Sequence, residues 1–288
     1  MTVRVLKGHG TGNDFVLVPD LDGALELTPE LVRALCARHT GVGADGVLRV
    51  VRAAKDPDGA RFAADAEFFM DYRNADGSVA EMCGNGVRVF MAYLQRVCVV
   101  DHDAAVATRG GIVRVQTGAD GGITVDMGQP RVLADRPVVT AAPAPPTPAT
   151  RVQMPNPHVV VEIGGLAELA ALELARPPLV EPAEPGGQNV EFVVRTGPRR
   201  LRMRVHERGV GETQSCGTGI CAAVVAAATA DGTERDGTSW QVDVPGGSCT
   251  VTWRPDGAVL LSGPAVIVAE LELDDSWLAA AVAVAGSA

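Results

Sequence analysis

The sequence predicts a mixed α/β (α+β) protein built from two similar halves, and three observations carry that prediction. Short apolar or alternating runs bounded by Gly, Asp and Pro recur along the chain as strands. Two segments switch to a helical period. Each of those helices is entered through the same device, Cys-Gly-x-Gly, once at Cys83-Gly84-Asn85-Gly86 and once at Cys216-Gly217-Thr218-Gly219. A chain of 288 residues has room for one large domain or two of about 140 residues.

In chain order, Val3–Leu6 and Asp14–Val18 read as strands. Thr28-Pro29-Glu30 reads as an N-cap, a first-turn proline and an acidic first turn, so a helix is predicted from Pro29 to Arg38. The glycine-rich turn 41–46 leads into a buried strand over Val47–Val51. Arg61–Tyr72 is a second strand-like region, and Asn74-Ala75-Asp76-Gly77 has the chemistry of a tight reversal. From Gly84, Val87, Phe90, Met91 and Leu94 form the apolar stripe of a helix. Strands follow at Ala105–Thr108, Ile112–Gln116 and Ile123–Met127. Ala141–Thr150 is a linker by composition, because its prolines donate no ladder hydrogen bonds.

The second half repeats the style of the first. Strands are predicted at Val159–Glu162, Val190–Val194 and Leu201–Val205, then a helix striped by Ile220, Ala223, Val224 and Ala227 that ends near Asp231-Gly232. Gln241–Val244, Cys249–Trp253, Val259–Ser262 and Val266–Glu270 complete a strand-rich end.

Composition narrows the function. With 47% hydrophobic and 21% charged residues the chain is an ordinary globular protein, not a disordered or collagen-like one. The net charge of −10 argues against a surface for nucleic acid or an anionic membrane, so an anionic ligand must be held locally by backbone N–H groups or a single Arg. The longest apolar runs, Ile220–Ala230 and Trp277–Ala285, are too short to span a bilayer. The N-terminus lacks a signal-peptide core, which makes the cytoplasm the expected location. There the six cysteines are expected to be reduced. Five histidines, none paired at ligand spacing, give no support for a metal site, and no complete GxGxxG or Walker sequence supports a nucleotide cofactor.

The chemistry points to the two cysteine boxes. Glycine lets backbone approach a ligand closely, and the first-turn N–H groups carry the positive end of the helix dipole, so each box is an anion site with a thiol attached. A thiol at a helix N-terminus is expected to be drawn down from about 8.5 toward neutrality. A single Cys-Gly-x-Gly reads as a buried small hydrophobe. Its duplication favours a pair that works together, a base removing a proton while an acid delivers one, which inverts a stereocentre without a cofactor.

Polar residues in turns supply candidate ligand contacts: Asn13, Asn74, Asn156, Asn189, Glu207 and Arg208. Singly each is an ordinary turn former. Together they present donors and acceptors suited to a small zwitterion, with Arg208 able to clamp a carboxylate and Glu207 to accept from an ammonium. His158, in Asn156-Pro157-His158, is read as supporting only.

On these residues the chain resembles the diaminopimelate epimerase family. The matching strings are Lys7–Phe15, Gly41–Gly46, Tyr72–Ser78, Met82–Gly86, Asn156–His158, Gly187–Val190 and Val205–Gly219, nearly end to end. The resemblance implies a PLP-independent interconversion of LL- and meso-diaminopimelate and no cofactor. It implies two pseudo-symmetric domains, each a curved, mostly antiparallel sheet around a central helix, with the active site in the interdomain cleft, and a homodimer. Cys83 and Cys216 become the acid/base pair. Asn13, Asn74, Asn156, Asn189, Glu207 and Arg208 become substrate contacts, while Gly84, Asn85, Gly217 and Thr218 hold the α-carboxylate. The linker is thereby reassigned to the interior of the second domain: 1–127 with 272–288 forms one domain and 128–271 the other. Two positions depart from the family pattern: Pro155 stands where many members have Gly, and Gly46 where some carry Gln.

Three other readings stay open on the residues alone. They are a cofactor-independent racemase for another amino acid, a protein regulated by a reversible Cys83–Cys216 disulfide, and a non-catalytic amino acid binding protein.

Overall fold

A computed structural model describes residues 3–97, 99, 100, 103–118 and 121–283. Cys98, the first two residues of the N-terminal segment and 284–288 of the C-terminal one lie outside the described residues. The chain packs as two compact units, 1–125 with 265–288, and 126–264. Residues 265–271, grouped by sequence with the second half, thus pack with the first: the strand Val266–Glu272 pairs antiparallel with Arg4–Gly10.

In the first unit β1 (Arg4–Gly10) pairs antiparallel with β2 (Asn13–Pro19), and the helix α1 (Pro29–Cys36) carries the chain over to β3 (Gly46–Arg52), which runs parallel to β2. Parallel neighbours need such a crossover. The α1 helix starts where its sequence says, with Thr28 Oγ1 accepting from Leu31 N at 3.2 Å and Pro29 in the first turn. β4 (Phe68–Asn74) is antiparallel to β3. The second helix, α2 (Gly84–Arg96), crosses to β5 (Ala104–Thr108), parallel to β4. β6 (Gly111–Thr117) and β7 (Ile123–Asp126) finish the sheet as an antiparallel meander.

The second unit uses the same plan. Its strands are β8 (Arg131–Val132), β9 (Val138–Thr140), β10 (Thr147–Pro148), β11 (Thr150–Gln153) and β12 (Pro157–Glu162). After the short helix α3 (Leu166–Ala171) come β13 (Leu179–Glu181), β14 (Asn189–Gly197), β15 (Arg200–Glu207) and β16 (Gly211–Thr213). The long helix α4 (Gly217–Ala230) precedes β17 (Ser239–Val244), β18 (Gly247–Trp253) and β19 (Val259–Gly263). The main sheet runs β8-β11-β12-β14-β15-β17-β18-β19, with β12–β14 and β15–β17 parallel and the rest antiparallel. Read from the strand Val266–Glu272, the first sheet shows the same succession of two antiparallel pairings, a parallel, an antiparallel, a parallel and two antiparallel. In both units a helix makes each parallel crossover, and the longer one forms the core.

Each sheet wraps that longer helix. The α2 helix contacts β1 to β4 and Val266–Glu272, and α4 contacts strands from β11 to β19. Val87, Phe90, Met91 and Leu94 are buried as the stripe predicts, but so are Val89, Tyr93 and the whole of Arg88. For α4 the stripe is an underestimate, since Gly217 and Gly219–Ala228 are all buried. A helix apolar on every side is a core helix.

The proline-rich stretch is not a free linker. Ala141 and Ala149 are buried in the β12/β14 core cluster, and Thr147–Pro148 pairs with Val138–Val139 in a small sheet that β13 completes. One further expectation shifts. The region 61–72 opens with a 3-10 turn at Ala60–Phe62 and becomes strand only from Phe68. The apolar C-terminal stretch forms a helix, Asp275–Ala283, whose Trp277 donates through Nε1 to Thr40 O at 3.0 Å.

Candidate active site

Cys83 is the N-cap of α2. It is half-buried, and its sulfur accepts from Gly86 N at 3.4 Å, one of the orphan donors of the first turn. Its thiol faces Oδ1 of Asn13 at 3.6 Å, and the same oxygen accepts from Asn85 Nδ2 at 3.3 Å. Asn13 therefore joins the cysteine to the first turn of α2. Asn85 is buried, its Oδ1 accepting from Arg88 Nη2 at 2.9 Å.

Behind Asn13 stands an acidic pair that sequence reasoning left without a role. Asn13 Nδ2 donates to Asp45 Oδ2 at 2.8 Å, and Asp14 and Asp45 exchange backbone-to-carboxylate bonds at 3.0 and 3.2 Å. Arg38 chelates Asp14 at 3.0 and 2.9 Å and reaches Asp45 at 2.6 Å. Lys7 bonds Asp14 at 2.6 Å and the carbonyl of Gly43. Burial pushes Asp14 up, but Arg38 and Lys7 outweigh it and hold the carboxyl well below the usual range. Asp45 moves the opposite way, raised by burial and by the Asp14 charge despite the Asn13 hydrogen bond. The Gly41–Gly46 string, which the sequence offers as a loop, is what brings Asp45 beneath Asn13.

Asn74 is not in that hydrogen-bonded group. Its carboxamide donates to Ser78 Oγ at 3.0 Å, closing its own turn. Gly46 has a steric reason: a Cβ there would lie 2.6 Å from Arg73 O and 2.8 Å from a ring carbon of Tyr72. With this backbone the position has no room for Gln.

In the second unit Cys216 caps α4 and is buried. Asn189 Nδ2 donates to its sulfur at 3.7 Å, and Thr218 Oγ1 lies 3.4 Å from it. Asn189 Oδ1 accepts from the backbone N of Arg208 at 2.9 Å, tying the Glu207-Arg208 turn to the cysteine. Glu207 accepts from Thr213 Oγ1 at 2.5 Å. The guanidinium of Arg208 is exposed and docked on Gly186 O at 2.9 Å. Asn156 is held from the C-terminal side, its Oδ1 2.9 Å from His158 Nε2, so Pro155 does not leave it loose.

The electrostatics here reverse the expectation for a helix N-terminus. Burial, then the charges of Glu207 and Glu191, push the Cys216 thiol well above its ordinary value, against the hydrogen bonds from Thr218 and Gly219. Glu207 is itself raised by burial. Desolvation beside two carboxylates outweighs the dipole, so Cys216 is a thiol in this state.

The family model described as diaminopimelate epimerase matches residues 5–133 and 150–268. The chain belongs to the diaminopimelate epimerase family. A relative from Streptomyces coelicolor, named diaminopimelate epimerase, is 53% identical over 287 residues, covering 96% of this chain and 98% of the relative. Another of that name from Thermobifida fusca is 51% identical over 274 residues, covering 93% and 97%. Among solved structures, a hydroxyproline epimerase from Agrobacterium vitis aligns with a TM-score of 0.66 at 16% identity, covering 94% of this chain and 91% of that one. A phenazine biosynthesis protein of the PhzF family from Bacillus anthracis aligns with a TM-score of 0.69 at 17% identity, covering 95% and 99%. At such identities these structures show a shared fold.

In this epimerase family chain the candidate residues thus fall into two groups. Asn13, Cys83, Gly84 and Asn85 gather at the N-terminus of α2; Asn189, Glu207, Cys216, Gly217 and Thr218 gather at that of α4, with Asn156 and His158 linked to each other. Asp45 and Glu191 are the functional candidates that sequence reasoning missed. For Glu191 a signal exists, a carboxylate inside the apolar strand run Val190–Val194.

Proposed function

We propose that the chain is an isomerase that interconverts LL- and meso-2,6-diaminopimelate by proton transfer at the α-carbon, with Cys83 and Cys216 as the two bases and no cofactor. The observation that carries this reading is the repetition of one device: a cysteine capping a core helix, its sulfur within reach of an asparagine side chain, on two units of the same topology. One sulfur, as thiolate, takes the α-proton: an S–H bond forms, the Cα–H bond breaks, and the electron pair passes toward the α-carboxylate. The other thiol gives its proton to the same carbon, so the two sulfurs exchange protonation state in each turnover. The first-turn N–H groups at Gly84-Asn85 and Gly217-Thr218 take the charge that grows on the carboxylate.

The thiol state of Cys216 gives it the donor's part, for which a proton must be present at the working pH. Asn13, Asn74, Asn156, Asn189, Glu207 and Arg208 serve as substrate contacts, and those at the distal amino acid centre supply binding energy that positions the reacting carbon. On the same family reading the protein is a cytoplasmic homodimer that works in lysine and peptidoglycan precursor synthesis.

The test is NMR of LL-diaminopimelate with reduced protein in D2O, without added PLP or metal. Loss of the α-proton signal with formation of the meso isomer is expected; no exchange in fully reduced protein overturns the assignment. Cys83→Ala and Cys216→Ala are each expected to abolish turnover, and near-normal activity in either removes the two-base scheme.

A further inference from the structure

His158 is fully buried, and both its ring nitrogens face acceptors. Nδ1 lies 2.7 Å from Glu191 Oε1, and Nε2 lies 2.9 Å from Asn156 Oδ1. An imidazole between two acceptors must carry a proton on Nε2 and share a second with the carboxylate beside Nδ1. Glu191 supplies that arrangement in either form, as carboxylate with imidazolium or as carboxylic acid with neutral imidazole. Both forms keep the Nε2–H pointed at Asn156.

Glu191 is itself fully buried in β14, and its second oxygen, Oε2, has no hydrogen-bond partner. Such an atom is costly in a core strand. The same side chain fills the space over the first turn of α4: a Cβ on Gly219 would lie 2.5 Å from Oε1. The glycine of the second cysteine box therefore makes room for this carboxylate.

We infer that Glu191 is a positioning residue of the second half-site, fixing His158 as a donor to Asn156 and thereby holding the Asn156 carboxamide with its NH2 group available to an oxygen of an amino acid substrate. The carboxylate acts through His158 and does not touch substrate. Glu191→Leu removes the group that Nδ1 faces, so the His158 ring loses the contact that holds it against Asn156. The Asn156 carboxamide is then free to turn and present oxygen where it had presented hydrogen.

The kinetic arm rests on the epimerase activity proposed above. E191L is expected to lower kcat/KM about tenfold or more, the usual scale when a buried polar partner is lost, whereas E191Q, whose NH2 group can donate to Nδ1, is expected to keep most of it. In an Asn156→Ala background E191L is expected to add little, because its target is gone. Losses that multiply in the double variant overturn the inference.

A second arm uses neither a variant nor turnover. Long-range 15N–1H correlation on His158 of the whole native protein is expected to show Nε2 protonated at pH 7. An unprotonated Nε2 overturns the inference whatever the enzyme's substrate. A protonated Nε2 in a protein that does not exchange the α-proton of diaminopimelate would keep the inference and refute the substrate.

Discussion

Asp45 accepts from the Asn13 carboxamide at 2.8 Å, which turns the Asn13 oxygen toward the thiol of Cys83. The cysteine and the Gly41–Gly46 loop, far apart in sequence, are thus two ends of one hydrogen-bonded chain, pinned by Arg38 and Lys7 through Asp14. Asp45→Ala removes the acceptor that sets the Asn13 orientation. It is expected to lower kcat/KM about tenfold, the cost of an unsatisfied partner, with the circular dichroism spectrum preserved. Steady-state kinetics with wild-type values would separate Asp45 from the site.

Gly219 has no slack. Adding a methyl group there meets Glu191 Oε1 at 2.5 Å, so Gly219→Ala must displace either the carboxylate or the first turn of α4. A loss of about 1–3 kcal/mol is expected, read from urea denaturation. Combining it with Glu191→Ala should recover part of that loss by removing the clash.

The thiols should differ in reactivity. Cys216 is buried and pushed well above its ordinary value of 9.0 by burial and then by Glu207 and Glu191, whereas Cys83 is half-buried. Iodoacetamide at pH 8 followed by peptide mass spectrometry is expected to label Cys83 first. The pH dependence of Cys216 labelling should rise only on the alkaline side of 9.0. Glu207→Gln should move that rise to lower pH, with Glu191 and its His158 partner still in place.

Acid should act in part through Asp71. This carboxylate is fully buried; burial pushes it up, but Arg73 and Arg109 prevail and hold it below the usual range, with contacts at 2.7 and 2.8 Å. A depressed carboxyl contributes stability that is present above its unfolded value of about 3.9 and lost as pH falls below it. Asp71→Asn leaves two half-buried guanidinium partners short of charge and is expected to cost about 1.5–3 kcal/mol near neutrality. The deficit should shrink in urea titrations carried down toward pH 3.

Much of the architecture is legible in the residues, and what is not has identifiable causes. Thr28-Pro29 marks the start of α1 because capping is local chemistry. The exit of the Ala141–Thr150 stretch into a side sheet is not local: alanines at 141 and 149 are buried by partners that only the folded chain supplies. Stripe analysis undercounts α4, since a helix enclosed by a sheet has no polar face to reveal its orientation. The short helix α3 has no side chain at its N-cap, Gly165, to announce it. At the site, both cysteine boxes and the asparagines are visible as motifs. The Cys216 titration is not, because its direction depends on Glu207 and Glu191 converging from two neighbouring strands.

The two sheets share one pairing plan, but they draw their edge strands from different places. The second unit finds all of its strands within 126–264, whereas the first borders β1 with Val266–Glu272, beyond the entire second unit. On a ribosome the order of completion is therefore inverted. The later-made unit has its full strand complement while the earlier one still presents β1 with open N–H and C=O groups, a free edge of the kind that recruits foreign strands. Until Val266–Glu272 emerges, the half of the molecule that carries Cys83 is the half most in need of protection.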